Sequence, residues 1–135
     1  AGVRLGYMMG PKALVAEIDK VRPPYNISVL DYECALFALE HANVFADQAK
    51  DLRHQRDGLL SALGDLPGVH PYKSEANMIL VRVPDAEKTF EALRGRKVLV
   101  KNVSKMHALL GNCLRLTVGT ASENAQMMAA LKESL

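Results

Sequence analysis

Apolar positions recur along this chain with two different periods, and the change of period divides it. Leu14, Val15, Ile18 and Val21 follow Pro11 at helical spacing, with the proline where a first helical turn tolerates one. Pro23-Pro24 ends that helix, and the residues beside the prolines are pushed to extended or turn conformations. Ser28 can cap the next helix, with Asp31 in the capping-box position. From Val29 to Leu63 no proline interrupts, and Leu36, Phe37, Leu39, Val44, Phe45, Leu52, Leu59, Leu60 and Leu63 trace an amphipathic pattern. This predicts one long interdomain helix over residues 28–64, with a bend or break near Asn43 and Gly64 as its stop. Ahead of all this, Val3 to Met9 is a short apolar stretch, read as a buried strand or its exit.

Beyond the turn Asp65-Leu66-Pro67-Gly68 the period shortens. Met78 to Val83 predicts a strand, stopped at Pro84. Asp85 caps a short helix through Phe90 and Leu93, and Lys97 to Lys101 is a second strand. An irregular loop from Asn102 to Asn112 leads to a third strand, Cys113 to Val118. Thr120 and Glu123 form a second capping-box signature, opening a last helix through Met127, Met128 and Leu131. The fold class is α/β. Residues 65–135 form a small sheet covered by helices, with one face left for something else.

Composition narrows the class of function. The 135 residues suit one ordinary domain, and 49% hydrophobic with 24% charged residues is a globular balance. No apolar run approaches the ~18 residues of a membrane span, so no membrane role is expected. Cys34 and Cys113 stand far apart, which gives neither a disulfide framework nor a zinc site and suits a reducing cytoplasm. His41, His54, His70 and His107 never fall four residues from an acid, so no metal is expected. A net charge of +2 is too weak to argue for nucleic acid. Its distribution says more. From Ala92 to Ser122 there is no acid, yet Arg94, Arg96, Lys97, Lys101, Lys105 and Arg115 lie there. Such a surface either attracts small anions or is simply a solvated basic face.

Arg115 is the most informative single residue. On the third strand a period of two sends Leu114, Leu116 and Val118 to one face, and Cys113, Arg115 and Thr117 to the other. A guanidinium aimed from mid-strand into a polar space offers a planar fork for carboxylate or phosphate. It can equally be an arginine whose stem packs while its head reaches solvent. Lys101, ending the neighbouring strand, is a second cation beside it or a plain strand-end lysine. Arg4 lies between Gly2 and Gly6, so backbone could approach a ligand closely there.

The run Ala1-Gly2-Val3-Arg4-Leu5-Gly6-Tyr7 resembles the segment just after the cofactor lysine of fold-type I, pyridoxal-phosphate-dependent aminotransferases. Lys20-Val21-Arg22-Pro23-Pro24-Tyr25-Asn26, Ser74 to Val81, Val98 to Asn102 and Asn112 to Thr120 extend the likeness, in order, over essentially the whole chain. Together these runs are most similar to the histidinol-phosphate branch of that family. The resemblance implies that Arg4 holds the cofactor phosphate. It implies that Arg115 binds the substrate's anionic end: the phosphate of histidinol phosphate, or the α-carboxylate of glutamate, whose partner keto acid is 2-oxoglutarate. Position 101 is commonly arginine in the family and contacts the substrate phosphate; Lys101 supplies the charge without the fork. A homodimer is implied as well. Residues 1–27 would then be a remnant of the large cofactor domain, 28–64 the interdomain helix and 65–135 the small C-terminal domain. None of the nine lysines matches the Schiff-base position, which would lie before Ala1. The chain is expected to be a truncated piece with no catalytic residue of its own. Another aminotransferase of this fold, or a stand-alone anion-binding α/β domain, are the competing readings.

Overall fold

The computed structural model describes residues 3–135, which fall into two compact units meeting in sequence between Ala46 and Asp47. In the first unit α1 (Lys12–Asp19) follows Pro11, and Arg22 closes the turn after it by donating to Asp19 at 2.8 Å and Asn26 at 2.7 Å. Helix α2 (Val29–Glu40) starts at Ser28, whose hydroxyl oxygen accepts from the Asp31 N–H at 3.1 Å. The Asp31 carboxylate takes the Ser28 hydroxyl proton rather than reaching back to the backbone, so the capping box is one-sided.

The single helix expected over 28–64 is two. At His41 (φ −107°) α2 ends: its N–H still reaches the Phe37 carbonyl at 3.1 Å, as in a helix, and its ring stacks on Phe37 at 4.2 Å. Helix α3 (Ala42–Gly64) then starts afresh, so the break falls two residues before Asn43. Val3 to Met9 forms no strand and stays largely exposed, because no described segment pairs with it. No residue from 3 to 46 is buried. Among the described residues, eighteen of the twenty-two large apolar side chains that stand exposed lie in this unit, which therefore has apolar-rich helices but no buried core of its own.

The second unit has one. Strands β1 (His70–Pro71), β2 (Met78–Arg82), β3 (Lys101–Asn102) and β4 (Cys113–Thr117) make an antiparallel sheet in the order β1-β2-β4-β3. Ile79 sits opposite Leu116 and Val81 opposite Leu114, all fully or almost fully buried. Onto that face pack Leu59 and Leu63 of α3, Leu93 of α4 (Ala86–Gly95), and Met127, Met128 and Leu131 of α5 (Ala121–Lys132). At roughly 1.5–3 kcal/mol per fully buried apolar side chain, this cluster dominates the unit's stability. Asp85 caps α4 through the Lys88 N–H, and Thr120 with Glu123 forms a complete, reciprocal capping box on α5. Asn124, 6% exposed, fastens the start of α5: its amide exchanges hydrogen bonds with the backbone of Gly119 and donates to Gln55 at 3.1 Å.

The second strand expected over Lys97–Lys101 has shrunk to Lys101–Asn102. Lys97 takes φ +62°, its N–H reaches the Arg94 carbonyl, and the Val98 N–H reaches that of Leu93. That is a left-handed helix stop, with lysine where glycine is usual, and it holds the chain away from β4 until Lys101. The two-residue β1 and a short 3-10 helix, Ala108–Leu110, carry no strong sequence signal.

Candidate functional site

The face of the sheet opposite the core is where chemistry can occur. Strand β4 alternates as its sequence predicts: Leu114 and Leu116 are buried, Arg115 and Thr117 exposed. In the register, Arg115 stands directly opposite Leu80 on one side and Lys101 on the other. Directly opposed residues project from the same face with Cβ atoms about 5 Å apart, so the two cations are neighbours. Neither appears in an ion pair or side-chain hydrogen bond among the described residues. Like charges opposed across two strands cost roughly 0.2–1 kcal/mol, and an anion seated between them would reverse the sign.

Cys113 behaves differently from its neighbours on this face. It is only 1% exposed, and Val103, whose N–H donates to the Cys113 carbonyl, is 4% exposed, yet neither belongs to the main core. The loop between β3 and β4 folds over that end of the sheet. The Cys113 thiol points at the Gly111 carbonyl, 3.7 Å away, and the Ser104 hydroxyl donates to the Cys113 carbonyl at 3.3 Å. Arg82, opposite Cys113 in the register, donates to the Leu109 carbonyl at 2.8 Å. The cysteine sulfur, with Tyr72 nearby, holds the Arg82 guanidinium still more firmly protonated than usual. One end of the open face is therefore roofed, while the end with Arg115, Lys101 and Thr117 is not. Beside Thr117, where β3 has not yet begun to pair, a cleft of about 340 Å³ opens, with Lys97, Leu99 and Gln126 on its walls.

Arg4 belongs to the first unit. Its φ of +61° lies in the left-handed region, unusual for a non-glycine residue, and its side chain is exposed without an ion pair among the described residues. Gly2, on which part of the Arg4 reading rests, lies outside the described residues. Val3, Leu5, Tyr7, Ile27, Tyr32 and Phe45 help line an apolar groove of about 650 Å³ in the same unit. Of the three residues singled out from sequence, the sheet brings Arg115 and Lys101 together; Arg4 is placed within its own unit. Arg82 was missed, because an arginine ending a strand before Val83-Pro84 gives no signal of the loop it will hold.

Chemically, the open face offers two unpaired cations of different shape, a hydroxyl at Thr117 and no exposed acid on the paired strands. That suits binding an anion. The sequence comparisons fit such a role. The chain is 74% identical, over all of its 135 residues, to the histidinol-phosphate aminotransferase of Polaromonas naphthalenivorans, of which it spans 37%. A solved structure of a candidate aminotransferase from Burkholderia pseudomallei superposes on 92% of the chain and 38% of its own, with a TM-score of 0.81 and 29% identity. The L-threonine-O-3-phosphate decarboxylase of Porphyromonas gingivalis superposes on 98% of the chain and 42% of its own, with a TM-score of 0.83; at 23% identity it shares the fold and no more. The family model for aminotransferases of class I and II runs from residue 1 to residue 131, taking in both units and the Lys101–Arg115 pair, and the chain belongs to that family.

Proposed function

We propose that these residues work within a longer pyridoxal-phosphate transaminase that exchanges an amino group between histidinol phosphate and 2-oxoglutarate. The observation that carries the reading is the unpaired Arg115–Lys101 pair on the open face, in a chain 74% identical to a histidinol-phosphate aminotransferase. Arg115 supplies the planar fork, for the phosphate of the amine or for the α-carboxylate of glutamate in the other half-reaction. Lys101 adds charge beside it and tolerates a range of anion positions, since an ammonium imposes no plane.

Residues present here also fit the cofactor. A phosphate needs a cation that is free to turn toward it, and Arg4 is exposed and without an ion pair among the described residues. When bound, pyridoxal phosphate supplies the electron sink for transamination, and the chain's own part is to hold anionic groups in place. The division into a cofactor-domain remnant (1–27), interdomain helix (28–64) and small domain (65–135), the homodimer and the cytoplasmic location belong to the same proposal. Support for the dimer is limited to the exposed apolar residues of the first unit. No helix among the described residues is long and apolar enough to cross a membrane.

The test is a substrate comparison in the full-length protein. Histidinol phosphate should be used with kcat/KM roughly ten- to hundred-fold above that for histidinol, which lacks the phosphate, the worth of one charge-assisted contact. Phenylalanine and phosphothreonine should be poorer still. Equal use of histidinol and its phosphate would overturn the assignment.

A further inference from the structure

The pairing that brings Lys101 beside Arg115 is two residues long, extended by the Val103 N–H, which donates to the Cys113 carbonyl at 3.1 Å. So short a ladder contributes little, and the loop that follows it, from Val103 to Asn112, must be held by other means. Several side chains do so, among them Asn112, whose amide oxygen accepts from the Ala86 N–H at 3.4 Å, and Lys105, 3.8 Å from Glu87. Asn102 donates to Glu87 at 3.2 Å and accepts from the Ser104 N–H at 3.0 Å; Ser104 reaches the Cys113 carbonyl; and Arg82 reaches the Leu109 carbonyl. Asn102 and Ser104 act next to β3. Among the described residues, Arg82 is the side chain from outside the loop that holds its far tip, where the 3-10 helix sits, and it does so from β2, on the opposite side of β4 from β3. The His107 ring caps that small helix by accepting from the Leu109 N–H at 3.1 Å, so the tip is a formed structure that one clamp can hold. Under it lie the buried Cys113 thiol and Val103, the residue two beyond Lys101 on the same face.

We infer that Arg82 is a positioning residue: it clamps the 104–111 loop over Cys113 and thereby fixes Lys101 beside Arg115. Arg82 itself is exposed and donates to the Leu109 carbonyl. Release of the clamp frees the loop and, through Val103, the end of the two-residue strand that carries Lys101. The inference rests on the anion-site reading above for its functional half, whereas the clamp itself is read from the hydrogen bonds alone.

Cys113 provides a reporter that separates the two halves. In the full-length protein, Arg82→Met keeps the apolar stem and removes the donors, and Arg82→Lys restores one charged donor. Iodoacetamide labelling of Cys113, located by peptide mass spectrometry, should be at least about ten-fold faster in Arg82→Met, the loss of one hydrogen bond to a charged group, and intermediate in Arg82→Lys. KM for histidinol phosphate should rise about three- to ten-fold in Arg82→Met while kcat changes less than about two-fold, the signature of weakened ground-state positioning. In a Lys101→Met background the same substitution should add no further change in KM. Unchanged labelling would overturn the clamp. Faster labelling with an unaltered KM, or a KM effect that persists without Lys101, would overturn the link to Lys101. An unaltered KM in Lys101→Met alone would sink the anion-site reading and that link with it, while the labelling rates would still establish or refute the clamp.

Discussion

The two faces of the β2–β4 pair are built from alternate residues of the same strands, yet they are finished differently. On one, Ile79, Val81, Leu114 and Leu116 meet side chains from α3, α4 and α5, and every apolar position finds its partner within the second unit. On the other, Leu80 is half-buried, Arg115, Thr117 and Lys101 stand exposed, and neither cation has an ion pair among the described residues. A period of two fixes which residues share a face. What differs is whether the neighbours needed to satisfy them lie within the same unit. The core face is complete, so it reports on stability; the open face carries cations without counter-charges, so it reports on binding.

Substitutions can break that contrast or sharpen it. The largest effect should follow Leu116→Ala, which deletes a fully buried side chain facing Ile79 and should destabilise the second unit by about 2–5 kcal/mol. Amide hydrogen exchange of β2 and β4 measures it; a loss under ~1 kcal/mol would show that the core face is less tightly packed than its burial indicates. Asn124→Ala should cost about 1 kcal/mol by leaving the half-buried Gly119 N–H and carbonyl without their Asn124 partner, read as a lower Tm. On the open face, Lys101→Arg should leave Tm within about a degree or two and improve kcat/KM for histidinol phosphate by a few-fold, since it adds the fork. An equal change for an unphosphorylated amine would show that Lys101 does not read the phosphate.

The smallest effect concerns acid. The Thr120 backbone N–H, and then its hydroxyl, hold the Glu123 carboxyl below its usual range. A lowered folded value means that the carboxylate's contribution is fully present above the unfolded pKa of about 4.3 and is lost as the pH falls through the folded one. Glu123→Gln should therefore be slightly less stable than the wild type at neutral pH, with the gap closing below that value. A gap that does not change with pH would show that the ionised form contributes nothing to the cap.

Much of this was legible in the sequence. The β4 alternation, the caps at Asp85 and Thr120 and the stop at Pro84 are local signals, and each is realised where the residues place it. Lys101 was readable as a candidate neighbour of Arg115 or a plain strand-end lysine, and the register that sets the two opposite each other came from the structure. What could not be read depends on contacts distant in sequence or on a competing local choice. Lys97 adopts the left-handed stop usually left to glycine, which shortens β3. The break near Asn43 was expected, but its place at His41, where φ is −107° and the ring stacks on Phe37, was not. Cys113 is buried on a face that alternation marks as polar, because a loop held by Arg82, 27 residues from its Leu109 partner, lies over it. Val3 to Met9 has the composition of a strand, but a strand needs a neighbour to pair with.

The central claim is that Arg115 serves as the anion anchor of a transaminase while contributing little to the fold. Arg115→Ala in the full-length protein tests it most directly, with kcat/KM measured separately for histidinol phosphate and for glutamate. Both values should fall roughly ten- to hundred-fold, because one guanidinium serves two anions in turn, and hydrogen exchange across β4 should stay as in the wild type. Unchanged kinetics with both substrates would contradict the account, as would a loss of activity matched by a loss of strand protection.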